Sequence, residues 1–277
     1  IIVEHNDDSG SVDEQAYIKK LTSDVRVVSI VHTSPVTGMT VDLEKITKEV
    51  RNVTPDCIII VDGIQHSSHG AIDVQKYDID GYVVSPYKMF SRHGYGVAWA
   101  SERLCTLNKE QLADGPFQNW ELGTRDAGSY ATFSDVVDYL DWLGSNFTES
   151  ENTRERLEAS SIAIKSHEQE LVDLVINGAE DIVGLRNNKK IQIIGTSDSK
   201  FREGVVSFFQ KNKPSSIIVE ELRQRKIRVH IRKDDHYCGN ILRPLNQKDC
   251  IRFSICHYNS KAEVVEFMKA INEISAN

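Results

Sequence analysis

Three short runs rich in β-branched residues constrain this chain most: Val25-Arg-Val-Val-Ser-Ile-Val31, Cys57-Ile-Ile-Ile-Val61 and Gly81-Tyr-Val-Val84. Each is apolar almost throughout rather than alternating, which is the pattern of a strand buried on both faces. Helical patterns flank them, from Asp13 to Leu21 and from Val41 to Val50, the latter with Val41, Ile46 and Val50 near one face. A fourth strand-like run, Gly96-Val-Ala-Trp99, follows. Buried strands alternating with helices predict an α/β fold with a mostly parallel sheet. Phe133 to Leu143 reads as a helix with Gly144 as its C-cap, and Thr148 to Leu174 as a long amphipathic helix. The grammar then changes. Strands at 190–194, 203–209, 227–231 and 250–255, with helices at 215–226 and 260–274, predict an α+β module. The boundary falls near 150, giving a large domain over residues 1–150 and a smaller one over 151–277.

Composition removes several function classes. The 33 basic residues are outnumbered by 41 acidic ones, for a net charge of −8. That balance argues against a nucleic-acid partner, which a basic stripe would mark. No apolar run approaches the roughly 18 residues of a membrane span, so no membrane partner is expected. The five cysteines (57, 105, 238, 250 and 256) are scattered, without a CxxC pair, and read as the reduced thiols of a cytoplasmic protein. The chain opens on strand-like Ile1-Ile2-Val3-Glu4 with no initiator Met, so it is expected to begin inside a folded domain.

The chemistry is read at the strand ends. In an open α/β sheet, ligands bind beyond the carboxyl ends of the parallel strands. Asp62 directly follows the run 57–61, and Lys88 lies four residues beyond 81–84. A carboxylate and a lysine converging there suit pyridoxal phosphate. The carboxylate keeps the pyridine nitrogen protonated, and the lysine forms a Schiff base. Spacing alone also fits a solvated turn aspartate and a surface lysine.

The wording around these residues resembles the class V aminotransferase family of fold type I pyridoxal-phosphate enzymes, closest to its cysteine desulfurase and selenocysteine lyase branch. The branch shows D-G-A-Q, H-x-x-V-D-V-Q-x-L-D-x-D-F and S-G-H-K in order. This chain has Asp62-Gly-Ile-Gln65, then His69-Gly-Ala-Ile-Asp73-Val-Gln75-Lys-Tyr-Asp78-Ile-Asp80, then Ser85-Pro-Tyr-Lys88. The resemblance implies that Asp62 faces the ring nitrogen and Gln65 the ring hydroxyl, that Ser85 contacts the phosphate, and that Lys88 binds the cofactor covalently; Pro86-Tyr87 stands where the family has Gly-His, and Tyr87 can still donate to the phosphate. Val31-His32-Thr-Ser-Pro35 is similar to the family's H-V-S-N segment, which implies that His32 stacks on the ring. Trp120-Glu-Leu-Gly-Thr124-Arg-Asp126 is similar to F-E-x-G-T-P-N, whose threonine reaches the phosphate of a neighbouring subunit. That implies a homodimer with shared sites; by itself Thr124 also reads as a helix N-cap. Ile251-Arg252-Phe-Ser254 with Tyr258-Asn-Ser260 resembles V-R-A-S-x-x-x-Y-N-T, which implies that Arg252 forks onto a substrate carboxylate. His236-Tyr-Cys238 resembles the H-H-C loop whose cysteine accepts sulfur. A metal site from Asp235, His236 and Cys238 is disfavoured, because adjacent residues rarely converge on one ion.

The resemblance implies a fold type I large domain, N-terminally incomplete here, and a smaller C-terminal α+β domain. The early strand and the Gly/Ser/Thr phosphate turn of full-length members are expected to lie upstream of Ile1, and residues 1–277 alone are expected to be inactive. The activity implied is cleavage of a C–S or C–Se bond in a cysteine-like amino acid. Aminotransfer, epimerisation or cleavage of a cysteine-conjugate sulfoxide is the rival, favoured by Gly123-Thr-Arg-Asp126. A non-catalytic subunit on the same fold is a third reading.

Overall fold

The computed structural model describes residues 1–6, 12, 14–116, 119–124 and 126–276. They group into two compact units, one of Tyr17–His32 with Asp42–Ala163 and the other of Ile1–Ala16, Thr33–Val41 and Ile164–Asn277. A short helix, α1, covers Glu14–Ile18; Asp13, where the predicted helix starts, lies outside the described residues.

In the first unit β1 (Val27–Val31), β2 (Ile58–Asp62), β3 (Gly81–Val84) and β4 (Val97–Ala100) form one sheet in that order. β1, β2 and β3 are parallel, and β4 returns antiparallel to β3. The helix α2 (Leu43–Val53) joins β1 to β2. It starts where Asp42 accepts a hydrogen bond from the Lys45 N–H at 3.0 Å, and it buries Leu43, Ile46 and Val50. The register pairs Val31 with Asp62 and Asp62 with Val83, so the carboxyl ends of three parallel strands finish side by side. α3 (Glu102–Cys105) and α4 (Ala127–Gly144) follow.

Two predicted caps are corrected. Gly144 lies in the last turn of α4, and Ser145 takes the cap position. Glycine is required there for closeness, since a Cβ would stand 1.9 Å from the Arg156 carbonyl oxygen. Thr124 does not cap α4 either. Asp126 does, accepting from the Ser129 N–H at 3.2 Å and the Ser129 hydroxyl at 2.7 Å.

The helix α5 (Thr153–Asn177) contributes Ile164–Asn177 to the second unit, and a small hairpin follows it, β5 (Gly178–Ala179) and β6 (Ile182–Val183). Then come β7 (Ile191–Ile194), β8 (Val205–Gln210), α6 (Ser215–Gln224), β9 (His230–Lys233), α7 (Gly239–Leu242), β10 (Asp249–Ser254) and α8 (Lys261–Ala276). The large strands form an antiparallel sheet in the order β7-β8-β10-β9. One face packs on helices through Phe208, Ile251, Phe253, Leu222, Phe267 and Ile271. The rings of Phe253 and Phe267 stack there at 3.9 Å. β9 starts three residues later than the predicted strand. Lys226 turns left-handed (φ 64°) and the Ile227 N–H closes back on the Leu222 carbonyl at 2.9 Å, so Ile227 ends the helix rather than opening the strand.

The first unit's sheet is tied by one buried carboxylate. Asp80, 1% exposed, accepts from Arg103 Nε at 2.7 Å, Arg51 Nη2 at 2.9 Å, the Ile59 N–H at 2.9 Å and the Ser101 hydroxyl at 3.0 Å. Burial pushes its pKa up, but hydrogen bonds from Arg103, the Ile59 N–H, Arg51 and Ser101 outweigh that and hold it below the usual value. A carboxylate lowered in the folded state stabilises above its unfolded pKa, and this is lost as pH falls through the folded value. Asp80→Asn is expected to cost about 3 kcal/mol at pH 7, because Arg103 loses its countercharge and Arg51 keeps only Asp78. Urea unfolding of the parent and variant should show that gap at pH 7 and a smaller one below the ordinary aspartate range.

Candidate active site

At the carboxyl edge of the first unit's sheet, β1, β2 and β3 each deliver polar side chains. His32 follows β1, and its backbone N–H donates to the Asp62 carbonyl at 2.9 Å. Its ring is buried, stacked on His66 with centroids 3.6 Å apart, and its Nδ1 lies 2.9 Å from the Tyr82 hydroxyl. Asp62 closes β2, and its Oδ1 accepts from the Ile64 N–H at 3.0 Å. The turn that follows needs Gly63, since a Cβ would stand 2.1 Å from the Tyr82 ring. That turn presents Gln65, whose Nε2 lies 3.1 Å from His69 Nε2.

Ser85 follows β3 and starts a single 3₁₀ turn, Pro86–Met89. The Lys88 N–H donates to the Ser85 carbonyl at 3.0 Å. Lys88 Nζ donates to Gln65 Oε1 at 3.0 Å, which joins the ends of β2 and β3 through side chains. Tyr87 is 41% exposed and stacks on His93 with centroids 4.3 Å apart. Thr124 is exposed. Arg125, of the Gly-Thr-Arg-Asp text, lies outside the described residues.

Arg252 and Cys238 belong to the other unit. Arg252 is on β10, where its Nη1 donates to the Pro35 carbonyl at 3.1 Å and its Nε is buried without a hydrogen-bond partner. Burial, then repulsion from Arg232, brings its pKa down to about 10. Cys238 precedes α7 and is 1% exposed, in an apolar cluster with Val36, Ile194, Phe209, Leu242 and Cys250. Its backbone N–H donates to Asp235 Oδ1 at 2.9 Å. Burial and the Asp235 carboxylate push its thiol up, against a smaller opposing pull from Arg232. The apolar packing of its side chain was not legible in the sequence. His66 and Tyr82, which frame His32, were not singled out either. The signal for Tyr82 was a large polar side chain inside an otherwise apolar strand.

Among the described residues no helix is long and apolar enough to cross a membrane, and no group of three or more His, Cys, Asp or Glu is placed to hold a metal ion.

Three parallel strands with a lysine, an aspartate and an amide at their carboxyl edge give an α/β fold of the fold type I class. The profile of the family "Aminotransferase class-V" matches residues 1–267, and the chain belongs to that family. It is 23% identical over 97% of its length to a probable cysteine desulfurase of Treponema pallidum. It is 27% identical over 92% to the aminotransferase-like protein FGM3 of Gibberella zeae. It spans 63% and 60% of those relatives' own lengths. The apo structure of cysteine desulfurase from Thermococcus onnurineus superposes on all of this chain with a TM-score of 0.78 at 21% identity, the match covering 66% of that chain.

The cofactor of this family is pyridoxal 5'-phosphate, and the donor set fits its ring. Asp62 offers a carboxylate, Gln65 an amide and Lys88 an amine, the last two already in hydrogen-bond contact. For a phosphate, Ser85 and Tyr87 offer hydroxyls.

Burial of Cys238 has a direct consequence. In the native protein iodoacetamide should alkylate it at least about tenfold more slowly than after unfolding in urea, since only the thiolate reacts and this thiol is buried and raised. The native rate should still be climbing at pH 9. Rapid labelling at pH 7, read by peptide mass spectrometry, would contradict the burial.

Proposed function

We propose that this chain is the catalytic part of a pyridoxal-phosphate enzyme that cleaves the C–S or C–Se bond of a cysteine-like amino acid. The observation that carries the reading is the Lys88–Gln65 hydrogen bond of 3.0 Å at the sheet edge where Asp62 ends the adjoining strand. In this reading Lys88 binds the cofactor, Asp62 faces the ring nitrogen, Gln65 the ring hydroxyl, and His32 lies against the ring. Ser85 and Tyr87 hold the phosphate, with Thr124 reaching that of a second subunit. When bound, the cofactor supplies an electron sink for bonds at the substrate's α-carbon. Lys88 Nζ takes the α-carbon proton and returns it. Arg252 holds the substrate carboxylate, and Cys238 Sγ attacks the substrate sulfur and keeps it.

The relatives named cysteine desulfurase support the C–S reading. A second reading, elimination from a cysteine-conjugate sulfoxide, is favoured by the buried, raised thiol of Cys238, because a sulfenate leaves without a nucleophile. Residues 1–150 are the cofactor-binding part and 151–277 the smaller domain, to whose packing Thr33–Val41 contributes. Scattered free cysteines support a cytoplasmic location. A homodimer is supported by α4, which buries only Ser129, Val136 and Gly144 and leaves Trp142 61% exposed.

Borohydride reduction of the full-length, cofactor-loaded protein should fix the pyridoxyl group on Lys88; label on another lysine would remove the assignment. Cys238→Ser separates the two chemistries. A desulfurase variant stops forming alanine and sulfide from cysteine, losing on the order of 100-fold or more in rate. A sulfoxide lyase variant keeps its pyruvate-forming rate within a few-fold.

A further inference from the structure

The Gln65 amide is held at both of its ends. Its Oε1 accepts from Lys88 Nζ at 3.0 Å, and its Nε2 lies 3.1 Å from His69 Nε2. Among the described residues its side chain makes no other hydrogen bond. The direction of every bond along this line follows from the lysine. An ammonium has donors and no acceptor, so it faces the oxygen of the amide. The amide nitrogen, a donor, is then the end turned to His69. His69 Nε2 must accept, which places the proton of its ring on Nδ1.

The local backbone keeps His69 in this position. Gln65 and His69 flank the single 3₁₀ turn His66–Ser68, and side chains at that spacing meet across one turn. The turn closes where the N–H groups of His69 and Gly70 both donate to the His66 carbonyl, at 2.8 and 3.2 Å. Gly70 permits the closeness, since a Cβ there would stand 2.6 Å from the His66 ring. Gln65 and His69 are both buried, so water is not at hand to replace a lost bond between them. An amide freed at one end can turn over and exchange its donor for its acceptor.

We infer that His69 is a positioning residue for Gln65: its bare Nε2 takes one N–H of the amide and so presents the second N–H to the ring hydroxyl oxygen of the cofactor. The inference rests on the role proposed above for Gln65. Nε2 carries two hydrogens, and no described residue takes the second. Lys88 can hold the amide oxygen only while its own nitrogen is free. With that nitrogen joined to the cofactor, His69 is left to keep the donor end in place. An amide turned over would set its carbonyl oxygen against the ring oxygen, two acceptors with no hydrogen between them.

Two measurements on the full-length protein test this without turnover. Nitrogen NMR of ring-labelled histidine in the cofactor-free protein should show His69 with its proton on Nδ1 and Nε2 bare. A proton on Nε2 overturns the inference, and it does so whether or not any variant folds. The second measurement is a pH titration of the cofactor's absorbance in the loaded protein. A donor to the ring oxygen takes up part of its charge and weakens its hold on the proton of the lysine linkage. Losing that donor in His69→Phe should therefore move the titration midpoint up by about one. His69→Gln, whose side-chain oxygen can accept in place of Nε2, should return most of the change. An unchanged midpoint in His69→Phe overturns the inference even if the melting temperature falls, since that marks a structural role alone. Gln65→Ala tests the underlying reading separately. It should raise the midpoint at least as far, and a midpoint that stays put would remove Gln65 from the ring oxygen and this inference with it.

Discussion

A carboxylate taken out of water must be fully satisfied where it stands, and Asp80 meets that demand by drawing several elements onto one point. Its partners come from α2, from β2 and from the start of α3. Because its own backbone N–H donates to the Ile59 carbonyl while its side chain accepts the Ile59 N–H, it fixes β3 against β2. That register decides which residues finish level at the carboxyl edge. A slip of one residue would turn the strand over and carry Asp62 away from the turn that holds Lys88. The candidate cofactor residues thus depend on a charge cluster at the far end of their strands.

The second unit solves a different problem. Its sheet has one face packed against helices through an apolar core, so stability there comes from burial and aromatic packing. The other face is mixed. It seats the segment Thr33–Val41 through backbone groups. Arg202 donates to the Thr37 carbonyl, the Ser207 hydroxyl to the Val36 carbonyl, and the Glu203 N–H to Gly38 at 3.0 Å. Gly38 is left-handed (φ 77°), and a Cβ there would stand 2.1 Å from the Val205 carbonyl oxygen, so only glycine lets the segment lie this close. Arg202 is held among carbonyl groups, and burial brings its pKa down to about 10. Next to that seat, Arg252 reaches the Pro35 carbonyl with one nitrogen and keeps Nε unpaired. A stabilising contact and an unpaired donor therefore sit on one side chain.

Much of this was legible from the residues. Gly81–Val84 is a strand as read, and the other apolar runs shift by a residue or a few. The edge positions of Asp62 and Lys88 followed from where those runs end, and Gln65 from the family text. Boundaries moved where side chains cap: Asp126 rather than Thr124 starts α4, and Lys226 with Ile227 closes α6 at the expense of β9. A sequence window contains Arg232 to Asp235 but not Val36, Phe209 or Leu242, which enclose the Cys238 thiol.

The sequence by itself determined the alternation of strands and helices, the residues at the strand ends and the family text that links them. These depend on periodicity and on neighbours within a few positions. Only the tertiary structure decided which polar groups are satisfied and which are left waiting. Asp80 finds its partners across 21 to 29 residues, and Arg252 finds Pro35 across 217. Burial and charge compensation are properties of the space around a group, and chain segments far apart in the sequence make that space.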